Sequence, residues 1–344
     1  SLIASGELDF ILMNRPLSVD YDYLHKLEEG RIDEIRPCTR CMHCHWDAAD
    51  DGNLTFSCRT NAAHPFRFVT GQLTGSYDPE PAATAKNVVV VGAGPAGLEA
   101  ARVAAERGHS VTLYEKKGSV GGLLEFANNV KGPHENLSVL RSYFERQMEV
   151  LGVNVMLNTE APADIIAEAS PDIVIAATGG VRDTLGLSDT AGTKVVGIDD
   201  FMMADIAEEV VIVGSNVQAI DAAMYLLAQG KHVQVVTPNA ASAIGAGHSF
   251  WVKTFTQPNM KALGVRFWPE ATVTAVNDGS VTVKTATGIE QEIACGTVVE
   301  ALDCLPNDSL STGLSCEVVT VGDAARPFNI GEAICSGNAA ARAI

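Results

Sequence analysis

One turn constrains this chain more than any other feature: Gly92-Ala93-Gly94-Pro95-Ala96-Gly97. The apolar run Val88 to Val91 leads into it, as in a parallel strand buried on both faces. The Ala-rich stretch Pro95 to Arg107 leaves it as a helix, with Gly108 at the expected C-cap and Val111 to Tyr114 as the next strand. In such a unit the first glycine permits the tight turn and the second lets backbone approach a pyrophosphate. The third lets the helix pack close to the strand. The helix N-terminus adds free amides and roughly half a positive charge. Glu115 ends the second strand, placed to accept hydrogen bonds from an adenosine ribose. The dinucleotide site expected here comprises Gly92, Gly94, Pro95, Ala96, Gly97, Glu115, Lys116 and Gly122.

A second unit starts about 120 residues later, with strand Val210 to Val213, helix Gln218 to Gln229 and strand Val233 to Val236. Two such units imply two related nucleotide-binding folds. The second turn reads Gly214-Ser215-Asn216-Val217-Gln218-Ala219 and keeps only its first glycine. Asn216 puts a Cβ where backbone should approach phosphate. Thr237-Pro238-Asn239 offers no acid for a ribose and no Arg for a 2′-phosphate, so a nicotinamide site is weakened there. Between Gly264 and Cys295 the pattern alternates in period two, as in antiparallel strands.

Thr320-Val321-Gly322-Asp323-Ala324 is a strand ending in Gly-Asp, where FAD-binding folds place a carboxylate on the ribityl chain. With the first turn it favours FAD over NAD, and Gly322 and Asp323 join the site. Ala176-Ala177-Thr178-Gly179-Gly180 ends another buried strand where backbone passes the dinucleotide, adding Thr178 and Gly179.

Four of the eight cysteines, Cys38, Cys41, Cys44 and Cys58, fall in one short loop-rich stretch. Three thiolates at spacing two can reach three corners of a cubane, and a remote fourth closes it, so a [4Fe–4S] cluster is favoured. Zinc is the alternative, but its four-cysteine sites pair two Cys-x2-Cys knuckles. His43 and His45 are expected beside the metal rather than on it. Cys295, Cys304, Cys316 and Cys335 are expected to be small buried hydrophobes.

The net charge of −18 over 344 residues argues against nucleic acid or an anionic membrane as partner. No apolar run is long enough to span a bilayer, and the opening residues do not read as a signal peptide, so a cytoplasmic setting is expected. The chain opens at Ser1 and reaches a strand-like run, Asp9 to Met13, almost at once, as expected of part of a longer polypeptide.

On these motifs the chain resembles the C-terminal part of the old-yellow-enzyme-like iron–sulfur flavoproteins, the group of trimethylamine dehydrogenase and 2,4-dienoyl-CoA reductase. Met13-Asn14-Arg15-Pro16 is similar to the end of that family's barrel, where an Arg contacts the FMN phosphate. Glu29 to Cys38 is similar to the approach to its cluster, and Cys58-Arg59-Thr60-Asn61 to its fourth ligand. The resemblance implies an α/β chain with four parts. Residues 1–30 would end an FMN-binding (β/α)8 barrel, and 31–85 would form the cluster module and linker. Residues 86–198 and 303–344 would bind FAD, or ADP if the isoalloxazine site is lost; 199–302 would be the second, interleaved Rossmann-like unit. It implies cluster ligands Cys38, Cys41, Cys44 and Cys58, an FMN site in a barrel upstream or on another subunit, and substrate-acting residues outside this chain. Electrons would run from a substrate amine through the cluster to an electron-transfer flavoprotein, or from NAD(P)H to an enoyl substrate. The Cys-x2-Cys-x2-Cys spacing and the degraded second turn favour the amine branch. An oligomer is expected.

Overall fold

The computed structural model describes residues 3–45, 47–48, 54–55, 58–64, 76–307, 309–310 and 313–344. The side chain of His45 and part of the expected cluster module lie outside the described residues.

The first turn sits on the central strand of a five-stranded parallel sheet. The strand order is Glu317–Thr320, Ile173–Ala176, Asn87–Val91, Ser110–Tyr114, Asn154–Met156. The valines of Asn87–Val91 alternate between two cores. Val88 and Val90 pack beneath the helix Pro95–Glu106, while Val89 and Val91 pack with Ile166 and Val174 on the other face. A strand buried on both faces has no polar side to show, which is why the sequence reads as an unbroken apolar run. The second turn repeats the plan. Its sheet runs Arg266–Trp268, His232–Val236, Glu209–Val213, Thr297–Glu300, Lys194–Gly197, again all parallel. Val210 and Ile212 enter one core, Val211 and Val213 the other.

The duplication extends to single hydrogen bonds. Gly92 N–H donates to Tyr114 O at 2.8 Å, and Gly214 N–H to Val236 O at 2.9 Å. Gly121 N–H donates to Ala93 O at 2.8 Å, and Gly245 N–H to Ser215 O at 2.7 Å. Both leading glycines need their freedom. A Cβ on Gly92 (φ +102°) would lie 2.3 Å from Ala177 O, and one on Gly214 (φ +135°) 2.0 Å from Ala301 O.

Three details depart from the sequence expectation. Lys194–Gly197 already belongs to the second sheet, because it pairs with Thr297–Glu300, so the crossing falls ahead of residue 199. The antiparallel segment begins at Ala271; Arg266–Trp268 joins the parallel sheet instead, as Gln234–Val236 offers it an open edge. Asp9 to Met13 forms no strand: it has no partner strand among the described residues, and Phe10 and Leu12 stand 79% and 92% exposed. The helices Arg15–Val19 and Tyr23–Glu28 follow it.

Glu99, in the helix Pro95–Glu106, joins three parts of the molecule. It is fully buried and accepts from Arg102 at 2.9 and 3.0 Å, from Arg36 at 3.1 Å and from Asn338 at 2.8 Å. Arg36 comes from the chain entering the cysteine loop, and its other arm donates to Thr60 O beyond Cys58. Asn338 comes from the C-terminal helix Ile330–Ala343. Burial alone would raise the Glu99 carboxyl, but Arg102 and Arg36 outweigh it and hold it down at about 2.

A lone buried charge costs more than its pair gains, so Glu99→Ala should destabilise the chain by about 3–5 kcal/mol in denaturant titration. Glu99 is ionised in the fold down to about 2 and in the unfolded chain only above about 4.5. Its stabilisation is therefore complete above that upper value and lost as pH falls towards 2. Glu99→Gln should show a shallower loss of stability across that window.

Candidate functional site

A cavity of about 840 Å³ opens at the first turn and is lined by residues of both nucleotide-binding units. Gly92, Gly94, Pro95, Ala96, Glu115, Lys116, Gly122, Thr178, Gly179 and Asp323 all line it. Gly97 and Gly322 do not; they hold the wall together. A Cβ on Gly97 would meet Gly92 O at 1.9 Å, and one on Gly322 (φ +62°) would meet the Ala96 methyl at 2.7 Å. Gly94 differs, because a Cβ there meets nothing within 4 Å. Its missing side chain leaves room at the helix N-terminus, where no side chain caps the free amides.

Glu115 is buried and shapes the turn from inside. Its Oε2 accepts from Ala93 N–H at 2.8 Å and its Oε1 from Lys117 N–H at 2.9 Å, leaving each oxygen a further lone pair. Thr159 N–H donates to Glu115 O, which puts Thr159 at the same end of the cavity. Thr178 Oγ1 is buried without a hydrogen-bond partner among the described residues. A buried hydroxyl left so is costly, and a ligand in the adjoining cavity would satisfy it. Asp323 takes Phe328 N–H at 3.3 Å, and burial pushes its carboxyl up. An acid tied to the turn, uncapped helix amides, an orphan hydroxyl and a second carboxylate fit a dinucleotide.

The cavity continues past Asp323 to residues that sequence reasoning missed. Arg59, directly after Cys58, lines it and packs on the N-terminus of Ile330–Ala343: a Cβ on Gly331 would lie 3.5 Å from Arg59 Cα. Arg59 pairs with Glu135, and Glu135 with Lys131 at 3.2 Å. Lys131 Nζ then reaches Asp221 at 2.9 Å, and Asp221 accepts from His248 Nε2 at 3.1 Å. Burial alone would raise the Asp221 carboxyl, but Lys131 and His248 hold it below the usual range. Arg182 also lines the cavity, forks onto Asp199 at 2.6 and 2.9 Å, and reaches Cys304 Sγ at 3.1 Å. Cys304 is thus a wall residue rather than core, whereas Cys295 is buried as expected. No local pattern marks this set, because apart from Lys131 and Glu135, four residues apart, its members come from different stretches of chain.

The cysteine loop turns through Arg40 (φ +60°) and Met42 (φ +63°), both left-handed, between Cys38 and Cys44. Burial first, then Cys41, Cys58 and Cys38, push the Cys44 thiol up to about 11. Cys58 is buried and shares a 3.4 Å contact with Thr60 Oγ1. Among the described residues no group of three or more His, Cys, Asp or Glu is arranged to hold a metal ion. His43 is buried. Arg15 stands beside this loop, with Nη1 3.7 Å from Met42 Sδ, and does not line the cavity.

The second turn keeps the backbone of the first but closes its chemistry. Asn216 replaces Gly94 as N-cap, and its Oδ1 accepts the Ala219 N–H at 2.9 Å that a phosphate would use. Its amide donates to Ala301 O and Leu302 O at 3.1 Å and to Asp303 Oδ1 at 3.0 Å. Thr237 stands where Glu115 stands in the first unit and donates to Ser215 Oγ at 3.0 Å. No described helix is long and apolar enough to cross a membrane.

Fold and site together define an FAD-type dinucleotide-binding oxidoreductase. The chain belongs to the pyridine nucleotide-disulphide oxidoreductase family, whose sequence profile matches residues 86–323. It is 35% identical to an NADH oxidase of Thermoanaerobacter brockii over 241 residues, 68% of this chain and 36% of that protein. It is 31% identical to an N,N-dimethylglycine/sarcosine dehydrogenase of Chromohalobacter salexigens over 259 residues, 72% of this chain and 36% of that one. A structure of 2-naphthoyl-CoA reductase with 2-naphthoyl-CoA superposes on 100% of this chain and 52% of its own, with TM-score 0.84 and 31% identity. Reductases and amine-oxidising enzymes alike are therefore relatives, which fits the trimethylamine dehydrogenase and 2,4-dienoyl-CoA reductase group. The chain spans about a third of the two relatives' length and about half of the solved structure's.

Gly94→Ala should fold with an unchanged melting temperature in the apo form yet lose most bound FAD, read as the 450/280 nm absorbance ratio. Gly97→Ala should instead destabilise the apo fold, since its methyl meets Gly92 O.

Proposed function

We propose that this chain is the electron-transfer part of an FMN/[4Fe–4S]/FAD oxidoreductase of the amine dehydrogenase or N-demethylase type. One observation carries the reading: a single cavity runs from the dinucleotide turn to Arg59, the residue after Cys58. A cofactor in that cavity would lie beside the segment that carries the fourth cysteine.

Cys38, Cys41, Cys44 and Cys58 would hold the cluster. Three cysteines at spacing two with a single remote fourth suit a cubane better than zinc, whose four-cysteine sites pair two Cys-x2-Cys knuckles. Such a cluster supplies one-electron transfer between two flavins. Glu115 would hold the adenosine ribose, the amides after Gly94 the pyrophosphate, and Asp323 the ribityl chain. The cavity's volume of about 840 Å³ and its lining by Asp323, Arg182 and Lys131 besides the turn favour FAD over ADP. Arg15 and the exposed Phe10 and Leu12 would meet an FMN-bearing barrel, in the same polypeptide or on another subunit, where the substrate is bound.

Asn216 supports the proposed direction. Its Oδ1 takes up a helix amide that a nicotinamide dinucleotide would need, so electrons would leave through an electron-transfer flavoprotein. The second reading is an NAD(P)H-dependent reductase of unsaturated carbonyl or enoyl-CoA compounds. It is favoured by the intact backbone of the second turn and by the relatives named as NADH oxidase and 2-naphthoyl-CoA reductase.

Iron analysis should find about four irons per chain, lost together in Cys58→Ala; zinc without iron would sink the cluster assignment. Anaerobic mixing with NADH or NADPH should reduce the flavin slowly. Full reduction by either within a second would establish the reductase direction instead.

A further inference from the structure

The network Arg59–Glu135–Lys131–Asp221–His248 has no part in the relay described above. Its cations Arg59 and Lys131 and its anions Glu135 and Asp221 are all nearly buried, with side-chain exposures of 6%, 9%, 12% and 7%. It is also placed at one end of the cavity. Glu115 and Thr159 mark the ribose end. At the other end the network meets the N-terminus of Ile330–Ala343, where Arg59 packs on Gly331 and Asn329 Nδ2 donates to Gly247 O at 3.2 Å, beside His248. An FAD with its ribose at Glu115 and its ribityl chain at Asp323 would share this cavity with Lys131 and Asp221, which would then face its isoalloxazine.

We propose that Lys131, held between Asp221 and Glu135 at the isoalloxazine end of the cavity, sets the reduction potential of the bound FAD, with Asp221 as its opposing charge. This rests on the FAD reading above. Reduction at neutral pH brings two electrons and one proton onto the ring, so the ring gains one negative charge. Out of water, that charge is felt strongly by buried neighbours. Lys131 and Asp221 both line the cavity, and they act on the ring with opposite signs. Removing Lys131 takes a positive charge from the cavity wall while Asp221 stays, and disfavours the reduced form; neutralising Asp221 leaves Lys131 opposed by Glu135 alone and favours it.

The pair also joins the helix Leu124–Lys131 to the helix Val217–Ala228 across the two units. As a purely mechanical tie, its loss from either side would have the same effect. The electrostatic role predicts opposite effects, which separates the two.

The test uses the full chain loaded with FAD, reduced by dithionite against a reference dye at pH 7. Lys131→Met should lower the ratio of reduced to oxidised flavin at fixed potential at least tenfold, about 30 mV for a two-electron couple. Asp221→Asn should raise it by a similar factor. Lys131→Arg keeps the charge and should stay within threefold of wild type. Ratios that do not move in the Met and Asn variants, or that move in the same direction, overturn the proposal. FAD content measured on the same samples reports on the reading beneath it: wild-type protein that takes up no FAD overturns both, whereas FAD-loaded protein with unmoved ratios overturns this proposal alone.

Discussion

The structure depends on one buried carboxylate. Glu99 sits on the helix that opens at the dinucleotide turn, and it binds the approach to the cysteine loop through Arg36 and the C-terminal helix through Asn338. Charges taken out of water are kept only where partners are fixed, so these three segments are fixed relative to one another. Arg36 also holds Thr60 O and lies 5.0 Å over the Tyr143 ring. The placement of Arg59, which lines the cavity, follows from that clamp.

The two nucleotide-binding units show how far geometry and chemistry can separate. Four strands of each sheet, the leading glycines and the turn hydrogen bonds correspond; only the fifth, edge strand enters from a different point in the chain. Packing keeps this frame, because a Cβ on either leading glycine would strike a carbonyl of the neighbouring strand connection. The ligand-facing atoms obey no such constraint. In the first unit they stay open, at Gly94 and Thr178; in the second they are used up internally by Asn216, Ser215 and Thr237. The second unit then serves the first, since Asp221 and His248 complete the far wall of its cavity.

Much of this was legible in the residue order because it is local. The valine runs gave buried parallel strands, and the glycine spacing with Glu115 gave the turn and its acid. Both follow from contacts within about 30 residues. Even the weakness of the second turn could be read from Asn216. The readings that failed needed a partner. Asp9 to Met13 is an apolar, strand-like run but has no strand beside it among the described residues, and Arg266–Trp268 found an open parallel edge in place of an antiparallel one.

By itself, then, the sequence determined the two units, the cofactor turn and the set of four cysteines, since backbone sterics and strand burial act over short spans. Only the tertiary structure decided that cysteine loop and dinucleotide cavity adjoin. It alone decided that Lys131 meets Asp221, 90 residues away, inside that cavity. Such pairs are chosen by burial: a charge that cannot reach water must find its opposite wherever the fold brings one, and no local pattern records where that is.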